Sequence, residues 1–135
     1  MKFAKYTFLI AGIYGLLVLL PTYFSEKQFG VDYPPAVTHP EFLYGFAGTA
    51  IAFQFVFLII SRDPVKYKLM ILPSIIEKFS FGITVVVLQM QNRIPLPMFV
   101  FGMIDTFLGI LFIVSYFKLS KTPKENSPVS PGRFD

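Results

Sequence analysis

Four long apolar runs, at 6–24, 42–61, 69–90 and 97–117, constrain this chain more than any other feature. A helix crosses roughly 30 Å of hydrocarbon with about 20 residues at 1.5 Å each, and all four runs reach that length. The first two contain no charged residue, the third holds Glu77 and Lys78, and the fourth holds Asp105. Backbone facing lipid must satisfy its own hydrogen bonds, so each run is expected to be a helix; none alternates as a barrel strand would. The expected fold is therefore all-α, an integral membrane four-helix bundle. Only 15% of the 135 residues are charged, against about 25% in soluble domains, which fits a chain whose solvent is mostly lipid.

Lys2 and Lys5 ahead of an apolar run also describe a signal peptide, but the run is long for one and no small-x-small cleavage site follows at 21–25. A retained helix is expected. Orientation follows from the basic residues of the short connections. Lys2, Lys5, Arg62, Lys66, Lys68, Lys118, Lys121, Lys124 and Arg133 fall on one side, and Lys27 and Arg93 on the other. That asymmetry predicts both termini in the cytoplasm. It also accounts for the net charge of +4 without nucleic acid.

Between the first two runs, 25–41 is expected as an outside loop punctuated by Pro34, Pro35 and Pro40, with a helix start at Thr38-His39-Pro40-Glu41. Residues 62–64 read as a short turn. Pro73, Pro95 and Pro97 mark entries into the third and fourth helices. Residues 1–117 form the membrane domain on this reading, and 118–135 a flexible polar cytoplasmic tail, too poor in apolar residues to fold alone.

Ionisable groups inside a span cost about 2.5 to 3.5 kcal/mol at the bilayer centre even on the lenient insertion scale, so they need a reason to be there. Glu77 and Lys78 lie roughly 12 to 14 Å from the cytoplasmic entry of their helix, Gln54 about 18 Å and Asp105 about 12 Å from the outer side. Gln54, Glu77, Lys78 and Asp105 are thus candidates for one buried polar cluster. Neighbours on a helix point about 100° apart, so Glu77 is expected to meet Gln54 or a Tyr hydroxyl, while Lys78 reaches Asp105 or snorkels to the headgroups. The cluster can serve as an ion-pair network that fixes helix register, or as a proton or ligand site.

Close helix contacts in lipid depend on small residues, which nominates Ala11 with Gly15, Gly48 with Ala52, and the face of Asp105, Gly109 and Phe112. His39 and Glu41 sit at the outer boundary near Asp32, a set without metal-site spacing. The chain has no cysteine, no phosphate-binding Gly-rich loop and no nucleophile elbow, so no cofactor or metal is expected.

Four short helices, together with His39-Pro40-Glu41-Phe42-Leu43-Tyr44-Gly45-Phe46 and Ile76-Glu77-Lys78-Phe79-Ser80-Phe81-Gly82, resemble the DoxX-like small bacterial membrane proteins. That resemblance implies a bundle in the bacterial cytoplasmic membrane, associated at times with redox systems, and assigns no catalytic residue. The absence of a thiol argues against a direct thiol role. Small multidrug transporters are similar only in helix count, because their acid lies in the first helix. Emopamil-binding isomerases also use acids within a helical bundle.

The residues alone favour a non-enzymatic accessory or structural role through contacts with the bilayer, another membrane protein or a second copy of the chain. A lipophile-binding or proton-coupled protein built on the intramembrane carboxylates, with a cavity lined by Gln54, Glu77, Lys78 and Asp105 and by Phe and Tyr rings, is the second reading. A membrane isomerase-like or redox-associated enzyme is the third.

Overall fold

The computed structural model describes residues 1–121 and is helical, with no strand among the described residues. Four helices are long and apolar enough to cross a membrane: α1 (Lys2–Tyr23), α3 (Pro40–Arg62), α4 (Ile71–Met90, extended by a 3-10 turn at Lys68–Met70) and α5 (Leu96–Ser120). A seven-residue helix, α2 (Glu26–Asp32), lies between α1 and α3. The polar tail expected from 118 begins later, because α5 runs on to Ser120; the rest of that segment lies outside the described residues.

Local chemistry sets the helix boundaries. Pro40 opens α3, and Pro97 stands in the first turn of α5, where a missing N–H costs nothing because it would have no partner. Pro73 sits in the first turn of α4 for the same reason. At the α4 C-terminus Asn92 takes the left-handed conformation, φ 53°, which asparagine tolerates. Asn92 N–H then donates to Gln89 O at 3.0 Å and Arg93 N–H to Leu88 O at 2.9 Å, satisfying carbonyls that the helix leaves open. The α3–α4 turn is held by Asp63, whose Oδ1 accepts from Lys66 N–H at 3.0 Å.

Helix α1 packs mainly on α3, and α4 mainly on α5; the two pairs meet through α1 with α5, while α3 touches α4 only lightly. At the end carrying Met1 and the α3–α4 turn, the pairs are clamped by three buried rings. Phe8 stacks on Phe112 at 4.2 Å between centroids, and Phe57 meets Phe112 edge-on at 5.0 Å. Ala4, Ala11, Ile60, Ile71 and Leu119 complete this core. The outside of the bundle is apolar as well, with Ile10, Ile13, Phe55, Ile76, Phe107 and Ile110 exposed, as a lipid-facing wall requires.

Two expectations about this architecture need correction. The segment 25–41 is partly helical, because Glu26–Asp32 forms α2, tied to α3 by the Tyr44 hydroxyl donating to Glu26 Oε2 at 2.9 Å. The α3 packing face is also not the one carrying Gly48 and Ala52. Ala47, Ala50, Gln54 and Phe57 point inward instead, while Ala52 is exposed and a Cβ on Gly48 would just touch Tyr23. In α1 and α5 the nominated small residues do face inward: Ala11, Gly15, Gly109 and Phe112 are buried.

Candidate functional site

Above the aromatic clamp the helix pairs diverge and enclose a cavity of about 440 Å³. Its lower wall is polar. Lys78 is 3% exposed, and its Nζ donates to Asp105 Oδ1 at 3.0 Å, lies 3.6 Å from Glu77 Oε2 and stands 5.2 Å from the centre of the Phe57 ring. The lysine thus joins the packed half to the cavity. Its stem lies against Gly109, where an added Cβ would come within 2.8 Å of Phe79 and 3.2 Å of Lys78 Cβ. Without a glycine there, α4 and α5 could not approach closely enough for Lys78 to reach Asp105.

Counted along the helices, Lys78 and Asp105 each lie about 14 or 15 Å from the nearer end of their spans. Both therefore sit far from bulk water in a membrane. Removing charges from water at that depth is costly, and the cost is offset only where opposite charges meet at close range. Lys78 with Asp105 meets that condition.

Gln54 approaches from α3. It is 1% exposed, and its Nε2 donates to Ala50 O at 2.8 Å. That carbonyl fixes the amide orientation, since the reversed amide would set oxygen against oxygen. Oε1 is consequently directed toward α1, where it occupies the space a Cβ on Gly15 would take. Gly15 is small because the glutamine needs the room. Gln54 Oε1 and Glu77 Oε2 are both buried, and neither accepts a hydrogen bond among the described residues.

The four polar residues singled out from the sequence therefore all line one cavity. Their pairing differs from expectation in one respect: Glu77 meets neither Gln54 nor a Tyr hydroxyl, and its ion-pair partner is the adjacent Lys78. Lys78 does not snorkel. Its flexible stem bends to Asp105, so two neighbours on a helix converge although their Cβ directions diverge. His39 and Glu41 are not brought to this site. They pair with each other at 3.2 Å, are exposed and lie outside the cavity wall. Among the described residues no group of acids, histidine or cysteine could hold a metal ion.

The remaining walls combine six aromatic residues with aliphatic side chains and the polar Thr22, Ser25, Gln28 and Asp32, and so include the Phe and Tyr rings that the lipophile-binding reading places around the polar residues. Tyr14 stands beside the polar floor, and Phe46 meets Phe81 at 5.8 Å across the α3–α4 seam. Phe29 and Tyr33, 5.0 Å apart, extend from α2 and the residue after it as a roof. The wall is open. Leu17 of α1, Phe46 of α3 and Phe101 of α5 line the cavity, yet they are 71%, 48% and 37% exposed, so the space communicates there with the lipid-facing surface.

Cavities of roughly 300 to 1,000 Å³ with apolar walls and a few convergent polar groups are where proteins hold small molecules. The fold and site together define a small multi-pass helical membrane protein with a polar-floored internal cavity. Comparison with family models, with characterised proteins and with solved structures found no match to this chain.

Proposed function

We propose that this protein holds a small lipophilic molecule with one polar end, taken from the bilayer through the open wall of the cavity. The observation that carries the reading is the cavity, with six aromatic rings among its lining side chains, above the Glu77–Lys78–Asp105 group. An accessory role, favoured by the residues alone, accounts for an ion pair between α4 and α5 but gives no reason for a cavity above it. A register-fixing ion pair is best sealed, since water or lipid entering beside it weakens it.

In this reading both termini face the cytoplasm. Lys2, Lys5, Arg62, Lys66, Lys68, Lys118 and Lys121 cluster at the clamped end of the bundle, with Lys27 and Arg93 at the cavity end. The cavity then opens in the outer half of the membrane, and α2 lies at the outer surface. The reading takes the bundle to reside in the bacterial cytoplasmic membrane, as the DoxX-like resemblance implies.

The test is equilibrium binding of N-phenyl-1-naphthylamine, an uncharged apolar fluorophore, to protein in zwitterionic nanodiscs. Saturable fluorescence is expected above the lipid background, and Val18→Trp, which fills the cavity from α1, is expected to abolish it. Equal signals from wild type, Val18→Trp and empty nanodiscs would end the proposal.

A further inference from the structure

Resting on the reading just given, we infer that the polar end of the ligand is a protonated amine, so that the cavity selects lipophilic organic cations carrying an N–H. The polar floor supplies two carboxylates and one ammonium, and the ammonium is committed to Asp105. Glu77 is held only at ion-pair distance from that same ammonium, so a negative charge at the floor is left incompletely balanced.

The hydrogen-bond inventory points the same way. The two buried side-chain atoms of the wall that lack a hydrogen-bond partner, Glu77 Oε2 and Gln54 Oε1, are both acceptors. Of the donors at the floor, Lys78 Nζ is turned toward Asp105 and Gln54 Nε2 toward Ala50. Buried acceptors without donors cost free energy that a ligand N–H can recover. An anion would meet Glu77 and Asp105 with Lys78 already engaged, whereas a cationic N–H meets two open acceptors.

The walls suit the rest of such a molecule. Tyr14, Phe46, Phe81 and Phe101 present ring surface around the floor, and aromatic faces attract cations as well as apolar groups. At the roof, Asp32 lines the cavity while its Oδ1 accepts from Gln28 at 2.8 Å, so the aqueous mouth is acidic too. Lys27 of the same short helix is exposed and does not line the cavity. From mouth to floor, the charges that face the cavity favour a cation.

The experiment compares probes of one shape that differ only at the polar end: 3,3-diphenylpropylamine, its trimethylammonium analogue, 3,3-diphenylpropan-1-ol and 3,3-diphenylpropanoate. Each displaces the naphthylamine fluorophore from wild-type, Glu77→Gln and Val18→Trp protein in zwitterionic nanodiscs. The amine is expected to bind at least about tenfold tighter than the alcohol, because a buried charge-assisted hydrogen bond is worth about 1.5 to 3 kcal/mol. The carboxylate is expected to bind weakest. The trimethylammonium probe, charged but without N–H, is expected between amine and alcohol, and Glu77→Gln is expected to bring the amine down to the alcohol.

A wild-type circular dichroism spectrum of Glu77→Gln shows that the variant is folded. Should the alcohol or the carboxylate match the amine in wild type, or should Glu77→Gln keep the amine preference, the cation assignment is wrong while the lipophile reading stands. If no probe binds, or Val18→Trp binds all of them as wild type does, the lipophile reading itself fails.

Discussion

The two ends of this bundle use the same kinds of residue for opposite purposes. At the clamped end, Phe8, Phe57 and Phe112 fill the space between helix pairs, with the Lys78 ammonium 5.2 Å from the centre of the Phe57 ring. At the cavity end, Phe46, Phe81 and Phe101 surround empty space, and buried polar groups are gathered beneath it. In lipid, helices gain nothing by hiding apolar surface, so tight packing is what holds them together. A membrane bundle that forgoes such packing over half its height gives up cohesion that the other half must supply. Stability should therefore reside in the clamp and binding in the cavity, with Lys78 the one side chain belonging to both.

Lys78→Met is the largest expected effect. It leaves Glu77 and Asp105 facing each other without a cation, and breaking a buried ion pair by removing one partner costs about 3 to 5 kcal/mol. Sodium dodecyl sulfate unfolding, followed by circular dichroism, measures it. The double variant Lys78→Met/Asp105→Leu is expected to regain part of the loss, because one of the two uncompensated acids goes with its partner. A double variant no more stable than the single one would show that Lys78 holds the halves by packing alone.

Phe112→Ala comes next, at about 3 kcal/mol, since its ring meets both Phe8 and Phe57 and is fully buried. The same unfolding assay reads it. Binding of the naphthylamine by the fraction that remains folded is expected to be unchanged. A large loss of affinity would mean that the clamp shapes the cavity and that the two ends are not separate in function.

How much of this could be read from the chain follows from what lipid makes conspicuous. Glu77, Lys78 and Asp105 stand out in spans 69–90 and 97–117 because a charge there is expensive, so both the helices and the polar floor were legible. The α3 packing face was not. In water, one apolar stripe identifies the inner side of a helix, but here the outer side is apolar too, so Gly48 and Ala52 looked as good as Ala47 and Ala50. Helix α2 escaped because seven residues between prolines and charges carry too little periodicity to register. A cavity lined by the polar residues and by Phe and Tyr rings belonged to the lipophile-binding reading, but its place and extent were not legible: it is where side chains fail to meet, and no residue type encodes that by itself.

Gly15→Ala should have an intermediate effect, about 1 to 3 kcal/mol by the same unfolding measurement, because the new methyl group displaces the Gln54 amide from its place against α1. The displaced amide has only the cavity to enter. Naphthylamine affinity should therefore fall along with stability, in contrast to Phe112→Ala. Loss of stability with full affinity would show that Gln54 can move elsewhere and is no part of the cavity wall.

The smallest effect sharpens the comparison most, because it separates access from packing. Tyr44→Phe removes the hydroxyl that donates to Glu26 and ties α2 to α3, a contact worth about 1 kcal/mol or less at the edge of the bundle. It touches neither the clamp nor the polar floor, so unfolding should change little. If α2 roofs the cavity, loosening it should speed both entry and release of the naphthylamine and leave equilibrium affinity nearly constant, as stopped-flow fluorescence can resolve. Unchanged rates would place the traffic entirely at the open cavity wall, where Leu17, Phe46 and Phe101 are exposed, and would reduce α2 to a connector.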